Sequence, residues 1–393
     1  MRVSAGQTGG QGVSAYATRS RFVVSNYGMG GSLQSGMAES RWGGPAAALL
    51  KWETTNQFDI GLDIAFLNNR VNLTVDAYYK KTKDLLLDKL IPMSSGFSRI
   101  QANYGNVTNK GLEISGHFIP VKARNFLWSI DANISFNRNK VGGLDADQYS
   151  DVAWGIENMF LVRNGEPIGT LYGYVEDGFY DNEAEVRADP LYRNETDSKV
   201  KSMVGEVKYK NLDDDPVIDN RDRQIIGNTN PDYQYGITNT LEWKNWTFSF
   251  FLQGTQGNDV LNVNLKKFDM ASVDNMPYFI YNNRWTAENR ANAKWPRANR
   301  TSTRFMRASD RYIEDGSYLR CKNVSLSYRF RHPMKFVESI NLVASVSNLF
   351  TISGYSWMDP DVNSFGSDPK RRGVDMASYP SARTFNFGVQ IGF

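Results

Sequence analysis

The sequence has one cysteine, two histidines and no long apolar run, and each shortage excludes a class of protein. Cys321 has no partner for an intrachain disulfide, and it cannot form a cysteine-rich zinc cluster alone. A transmembrane helix needs about 18 consecutive apolar residues, and no segment of the sequence approaches that length. The histidines, His117 and His332, stand outside any nucleophile motif, and no G-x-S-x-G occurs. We therefore predict no catalytic residues, and we expect the protein not to be an enzyme.

Strong charge of either sign is also missing. The net charge is only +3, which is too small to indicate binding to nucleic acid. The first residues likewise lack an export signal, because the charge of Arg2 is followed by Val3 and Ser4 rather than by an apolar core. If the chain forms an exported barrel, we expect Met1 to be an internal start or a truncation point.

Aromatic residues are abundant instead. They make up 13% of the chain, as 20 Tyr, 22 Phe and 9 Trp, and they occur beside many Gly and Asn residues. Aromatic side chains favour β-strands, whereas Gly and Asn favour turns. The composition therefore indicates an all-β protein.

Apolar and polar residues alternate along many segments, which is the period of a β-strand with one apolar face. From Phe58 to Phe66 every even position is apolar, and the odd positions are acidic or small. Asn68 and Asn69 then indicate a tight turn before a second alternating segment, 71–79. The same pattern recurs in segments 112–118, 128–137, 233–241, 248–252, 324–330, 340–346 and 384–393.

The connections between these segments alternate strictly between short and long. Short turns are expected near 67–70, 121–126, 243–246 and 331–338, and long excursions at 7–51, 83–107, 139–231, 258–316 and 351–381. Membrane barrels have this arrangement, with short periplasmic turns and long outer loops. This arrangement gives about ten strands in the barrel wall, if a hairpin expected around 173–179 is counted as lying outside that wall.

We therefore predict an all-β fold, a partial antiparallel transmembrane β-barrel. Plugged transporters have about 22 strands, so ten would form somewhat under half of the wall. Alternation alone does not distinguish this barrel from a soluble all-β binding protein, in which the apolar face is a shared core. Aromatic residues near the strand ends favour the barrel, because they are typical of a membrane interface. They are Tyr78, Tyr79, Trp128, Trp243, Trp246, Tyr328 and Phe330.

Several blocks of sequence resemble the SusC/RagA type of TonB-dependent outer-membrane transporter. They are LKWE at 50–53, NQFDIGLD at 56–63, DAYYKKTKDLL at 76–86, NYGNVTNKGLE at 103–113, GNTNPDY at 227–233 and YIEDGSYLR at 312–320. The blocks run through most of the chain, and the terminal Phe393 resembles the signal for barrel assembly.

The resemblance implies a 22-stranded outer-membrane barrel with an N-terminal plug. It also implies a SusD-like surface lipoprotein as partner, and import of oligosaccharides or peptides with energy delivered by the TonB complex. Residues 1–393 would be the C-terminal part of that one barrel domain, without the plug, the TonB-contacting segment or the signal peptide. The alternative is a passive outer-membrane barrel or an adhesin without TonB coupling.

One acidic segment, NLDDDPVIDNRD at 211–222, resembles a calcium loop. Its spacing of oxygen ligands follows positions 1, 3, 5, 7, 9 and 12 of such loops, with a backbone carbonyl at position 7. Pro216 replaces the glycine that makes the sharp turn, so the loop would be degenerate. The sequence requires no metal or cofactor, and calcium is the one candidate. The candidate ligands are Asn211, Asp213, Asp215, Val217, Asp219 and Asp222.

Aromatic residues in the long excursions are candidates for contacts with sugar rings. Two readings stay open: these side chains contact a ligand, or they hold the loops together or contact the partner lipoprotein. We therefore assign no ligand-binding residues. The residues concerned are Tyr278, Tyr281, Trp285, Trp295 and Trp357.

Overall fold

The computed structural model describes most of the chain. It leaves out residues 11, 13–17, 20, 21, 30, 40–46, 48, 96, 98, 153–155, 214, 270–274, 300, 301, 303, 305, 306 and 335. The side chains of residues 22, 23, 25, 27, 29, 37–39, 88, 90, 99 and 332 are also left out, so the side chain of His332 lies outside the described part.

Within the described residues the chain is mostly β-strand. The strands are β1 (Arg2–Gly10), β2 (Phe22–Met29), β3 (Ser32–Glu39), β4 (Glu53–Phe66), β5 (Val71–Lys83), β6 (Leu86–Leu90), β7 (Arg99–Asn103), β8 (Asn106–Ala123), β9 (Phe126–Gly142), β10 (Gln148–Val152), β11 (Ile156–Val162), β12 (Thr170–Gly173), β13 (Glu176–Phe179), β14 (Val207–Tyr209), β15 (Gln224–Asn228), β16 (Tyr233–Trp243), β17 (Trp246–Gln256), β18 (Asp259–Asn262), β19 (Ile313–Asp315), β20 (Tyr318–Met334), β21 (Val337–Ser353), β22 (Val374–Asp375) and β23 (Thr384–Gly392).

The helices of the described part are short and lie in the connections between strands. The α-helices are α1 (Glu183–Ala188), α2 (Asp197–Met203), α3 (Val263–Asp269) and α4 (Tyr278–Asn283). Among the described helices, none combines the length and the apolar character needed to cross a membrane. One-turn 3-10 helices are described at Met93–Ser95, Asn220–Asp222, Arg290–Asn292, Asp310–Tyr312 and Pro369–Arg371.

Ten strands form one continuous antiparallel sheet, which we call the wall. Its order is β1-β4-β5-β8-β9-β16-β17-β20-β21-β23, so every strand pairs with the wall strands next to it in the chain. This up-and-down order confirms the prediction of ten antiparallel strands from a larger barrel.

The connections of the wall confirm the predicted alternation of length. The short ones are 67–70, 124–125, 244–245 and 335–336, and the long ones are 11–52, 84–105, 143–232, 257–317 and 354–383. In the first short turn Asn68 and Asn69 have φ values of 55° and 61°, a left-handed conformation that asparagine tolerates better than most residues. All the short turns therefore join the strands at one end of the wall, and all the long connections join them at the opposite end.

Side chains on the two faces of the wall differ as the alternation predicts. At the centre of β20, β21 and β23, Leu326, Ala344 and Phe387 stand side by side on one face. The polar residues Ser325, Ser345 and Asn386 form the neighbouring row on the other face. On the polar face of β1, β4 and β5, the Arg2 guanidinium donates to Asp63 at 2.8 Å and to Asp76 at 3.0 Å.

Aromatic rings gather at the end of the wall that carries the short turns. Trp246 and Tyr328 are paired residues of β17 and β20, and their ring centroids lie 4.6 Å apart. The ring of Phe330 lies 4.6 Å from that of Tyr328. Trp243 is 53% exposed at the same turn. An exposed belt of this kind agrees with the interfacial girdle expected of a membrane barrel.

The hairpin expected around 173–179 does not form as predicted. The segment does contain two strands outside the wall, but β12 pairs with β11 and β15, whereas β13 pairs with β14. Ala308 approaches the chain closely at this point, because a Cβ at Gly173 would lie 2.3 Å from its carbonyl oxygen, a spacing that only glycine permits. The chain leaves the first sheet at Gly173 and bridges to Ser309 through Tyr174.

Candidate functional site

Most of the buried apolar core of the described chain lies in the long connections rather than in the wall. Connections 143–232, 257–317 and 354–383 pack together, and we call them the loop layer. A single sheet has no second layer to bury its faces, so a core can form only where the connections fold over one another. The main cluster comprises Val152, Ile156, Met159, Phe160, Leu171, Leu261, Val263, Leu265, Ala308, Tyr312 and Val374.

Strand pairing ties connection 257–317 to connection 354–383, and the bridge between Tyr174 and Ser309 ties it to connection 143–232. The short strand β18 pairs antiparallel with β19 of its own connection and parallel with β22 of the last connection. A second apolar cluster joins the loop layer to the wall, since Val107 and Val141 of β8 and β9 pack against Leu144 and Val162. The loop layer is therefore a folded body fixed to one end of the wall.

A buried ion cluster links two of the connections. The Arg304 guanidinium donates to Glu206 at 2.7 Å and to Asp269 at 2.8 Å and 2.9 Å. The three side chains are only 3–6% exposed. Asp269 also accepts a hydrogen bond from the Tyr312 hydroxyl at 3.0 Å, and Glu206 accepts one from Asn299 at 2.8 Å. Because charge buried this deeply needs partners, the cluster holds both connections in one arrangement.

A second ion pair supports the same interface. Arg311 of connection 257–317 donates from Nη2 to Glu176 of connection 143–232 at 2.6 Å. Burial raises the pKa of the Glu176 carboxyl to about 7, against the effect of Arg311, which lowers it. The backbone N–H of Glu176 also donates to Asp310 at 3.0 Å.

A cavity of about 370 Å³ opens between these two connections. Helix α2, strand β14 and the side chains of Asn299, Ser302, Arg304 and Arg307 form its sides. Sequence reasoning missed both the cavity and the ion cluster, because their residues lie about 100 positions apart in the chain without a shared motif. The lining residues are Tyr180, Leu191, Tyr192, Lys199, Ser202, Met203, Glu206, Val207, Tyr209, Val217, Ile218, Asn299, Ser302, Arg304 and Arg307.

The predicted calcium loop folds around an arginine. The Arg221 guanidinium pairs with Asp215 and lies 3.2 Å from Asp213 and 3.1 Å from Asp219. A hydrogen bond from Arg221 lowers the pKa of the Asp219 carboxyl below its ordinary value of 3.8. One cation of the chain itself thus serves three of the proposed ligands.

The other proposed calcium ligands are also engaged within the loop. Asp222 accepts hydrogen bonds from the backbone N–H groups of Leu212 and Asp219, each at 2.8 Å, and forms a capping box with Asp219. The Asn211 amide donates to the carbonyl of Asp215, and Val217 donates its N–H to the Asp215 carboxylate at 2.8 Å. Among the described residues, no group of three or more acidic, histidine or cysteine side chains has the arrangement of a metal site. This arrangement does not fit calcium unless Arg221 moves, and the calcium site stays a prediction.

The loop aromatics divide between buried and exposed positions. Trp285 is 8% exposed, and its indole N–H donates to Asp181 at 3.0 Å. Trp295 packs against the main apolar cluster, and Trp357 lies against the ring of Phe268 at 5.6 Å. These three side chains hold the loop layer together, which agrees with the reading in which the aromatic residues of the long connections hold the loops together. Tyr278 and Tyr281 of α4 are 79% and 53% exposed, so they remain open to a partner or ligand.

The remaining sequence candidates lie in the wall. His117 Nδ1 is 2.7 Å from an oxygen of Asp131 on the neighbouring strand, among the polar side chains of β8 and β9. Phe393 directly follows β23 and is 85% exposed at the edge of the wall. Its role as an assembly signal stays a prediction.

Comparison with known proteins matches this architecture. The family model for the β-barrel of TonB dependent receptor-like proteins matches residues 2–349. TonB-dependent receptor P26 of Formosa agariphila is 33% identical over 100% of this chain and 40% of its own length. TonB-dependent receptor SusC of Bacteroides thetaiotaomicron is 29% identical over 88% of this chain and 32% of its own length.

A solved structure shares the fold. The RagAB peptide transporter structure superposes with a TM-score of 0.76 at 20% identity, over 100% of this chain and 40% of that chain. The chain thus spans about 40% of the length of relatives such as P26. The relatives are receptors and transporters by name, in agreement with the expectation that the protein is not an enzyme. The chain belongs to the TonB-dependent receptor-like β-barrel family and is of the SusC/RagA type.

Proposed function

We propose that this chain forms the C-terminal part of the barrel of an outer-membrane importer that takes up oligosaccharides or peptides. One observation carries the proposal: a ten-stranded wall with short turns at one end holds a packed loop layer with a cavity at the other. A binding body fixed at the mouth of a membrane barrel suits the capture of cargo on the outer side. The plug and the segment that contacts TonB would come from sequence outside these 393 residues.

We further propose that a SusD-like lipoprotein covers the loop layer. The relatives of the SusC/RagA type support this partner, and so do the exposed tyrosines of α4, Tyr278 and Tyr281. Exposed aromatic side chains next to charged ones are typical of protein interfaces, and the Arg284 guanidinium stacks 3.8 Å from the ring of Tyr281. Affinity purification from outer membranes in detergent tests this partner, with Tyr278→Ser and Tyr281→Ser expected to weaken the association.

Uptake by cells of the source organism tests import. We expect uptake of labelled oligosaccharide or peptide pools to be saturable and to fall when the gene for the receptor is deleted. Uptake should also fall in cells that lack TonB. A passive barrel or adhesin would give the opposite result, because its permeation would be non-saturable and would not need TonB. A protein found in the soluble fraction without detergent would contradict both barrel functions.

A further inference from the structure

The cavity in the loop layer carries an excess of positive charge. Its charged lining residues are Lys199, Glu206, Arg304 and Arg307. The carboxylate of Glu206 is already paired with Arg304 at 2.7 Å, and Arg304 is shared with a second carboxylate outside the lining. Lys199 and Arg307 form no ion pair with any carboxylate of the described residues. Lys199 and Arg307 therefore both face the cavity without an ion-pair partner in the described part of the chain.

Arg307 is held in place by aromatic rings. Its guanidinium carbon lies 5.3 Å from the ring centroid of Tyr174 and 5.1 Å from that of Tyr209, and the residue is half-buried. Stacking of this kind restricts the side chain while leaving the N–H groups at its edge available. A guanidinium fixed in advance loses little freedom when it binds, and its planar fork matches the two oxygens of a carboxylate.

Hydroxyl donors stand beside the cations. Tyr192 and Tyr209 line the cavity, and neither hydroxyl has a hydrogen-bond partner among the described protein groups, whereas that of Tyr180 donates to Asp189 at 2.5 Å. Burial raises the pKa of both Tyr192 and Tyr209, so the two hydroxyls keep their protons at neutral pH and can donate. The volume of about 370 Å³ falls within the range of small-ligand sites.

We propose that this cavity is a subsite for a carboxylate group of the cargo, bound by Arg307 and Lys199 with help from the hydroxyls of Tyr192 and Tyr209. The proposal rests on the proposed import function and narrows it to cargo that carries a carboxylate. An acidic sugar and the C-terminus of a peptide share this chemistry. The neutral alternative is that Arg307 only holds the rings of Tyr174 and Tyr209 together.

Calorimetry on the intact receptor, purified in detergent with any lipoprotein it carries, tests the subsite. Trigalacturonate is compared with a neutral galactose trisaccharide, and trialanine is compared with its C-terminal amide. The two sugars have the same linkage, so that only carboxylate groups change within each pair. The sugar pair tests an acidic sugar as the source of the carboxylate, and the peptide pair tests a peptide C-terminus. The variants are Arg307→Gln, Arg307→Lys and Lys199→Gln. Lys201→Gln is the matched control, because Lys201 lies on the same helix, is exposed and does not line the cavity.

We expect at least one acidic probe to bind at least about tenfold more tightly than its neutral partner, since a charge-assisted hydrogen bond contributes about that much. Arg307→Gln and Lys199→Gln should each remove most of this preference. Arg307→Lys should keep part of it, because the charge remains but the fork is lost. Lys201→Gln should bind as the wild type does, and raised salt should weaken binding of the acidic probe only.

Two results would overturn the subsite. One is equal affinity of the wild-type receptor for both members of each pair. The other is an unchanged preference in Lys199→Gln and Arg307→Gln. Because Lys199 is exposed, Lys199→Gln should leave the loop layer folded. This variant therefore tests the subsite even if Arg307→Gln disturbs the loop layer. Binding is measured without transport, so TonB-dependent uptake with no preference for carboxylates would reject the subsite alone. A carboxylate preference without uptake would reject import alone.

Discussion

Removal of the buried Arg304 charge should loosen the loop layer without opening the wall. In Arg304→Met, the carboxylates of Glu206 and Asp269 lose the cation between them while both remain 5% exposed or less. Breaking a buried ion pair by removing one partner costs about 3–5 kcal/mol. At about 1.4 kcal/mol per tenfold change, the opening equilibrium of the interface should rise by about two to three and a half powers of ten.

Hydrogen exchange followed by mass spectrometry measures this opening segment by segment. Faster exchange is expected in 203–210 and in 308–316, which meet at the cluster, and no change in wall segments such as 324–330. Arg138→Met is the control, because Arg138 and Asp232 form an exposed pair, 58% and 65% accessible, worth at most about 1 kcal/mol. Adding Glu206→Gln and Asp269→Asn to Arg304→Met should restore most protection, since no unpaired charge then stays buried. Unchanged exchange in the single variant, or no recovery in the triple variant, would refute this role of the Arg304 charge.

Three further predictions concern the acidic loop and the wall. Millimolar calcium should give little heat with the wild-type receptor and more with Arg221→Gln, if the arginine fills the place of the metal; equal heats would contradict this. Ala344→Arg should destabilise the barrel in lipid by about 2–4 kcal/mol in urea titrations, whereas Ser345→Arg on the polar face should cost far less. Equal losses would show that the faces are assigned wrongly. Deletion of Phe393 should lower the amount of barrel in outer membranes, while Phe393→Tyr should not; normal levels without the residue would reject it as the assembly signal.

The wall could be predicted from the sequence because each of its strands carries the information locally. Alternation in a segment such as 58–66 shows both the strand and its apolar face, and Asn68 and Asn69 show where it turns. Long strands with turns of two to four residues leave little freedom in pairing, so the order of the wall followed from the chain itself. Small errors remained at the ends, where β8 and β20 run further into their turns than predicted.

The loop layer could not be predicted in the same way. Its apolar residues come from three connections and show no period, and strands such as β18 and β22 have only four and two residues. The segment 173–179 shows the difficulty: its residues predict strands, but the partners of those strands lie elsewhere in the connection. The close approach of Ala308 to Gly173 comes from a residue far along the chain. Long-range packing of this kind is not visible in a local pattern.

The acidic loop at 211–222 and the cavity differ in how their charges are compensated. In the loop, the Arg221 guanidinium lies among the carboxylates of Asp213, Asp215 and Asp219, so three of the proposed metal ligands already share a cation of the chain. In the cavity, Glu206 pairs with Arg304, whereas Arg307 lies over the rings of Tyr174 and Tyr209, which supply no negative charge. A folded protein gains little by holding a cation in place without a partner, unless something else supplies one. The cavity, where Arg307 has no carboxylate partner among the described residues, and not the motif that resembles a metal loop, is therefore where a cargo carboxylate is expected to bind.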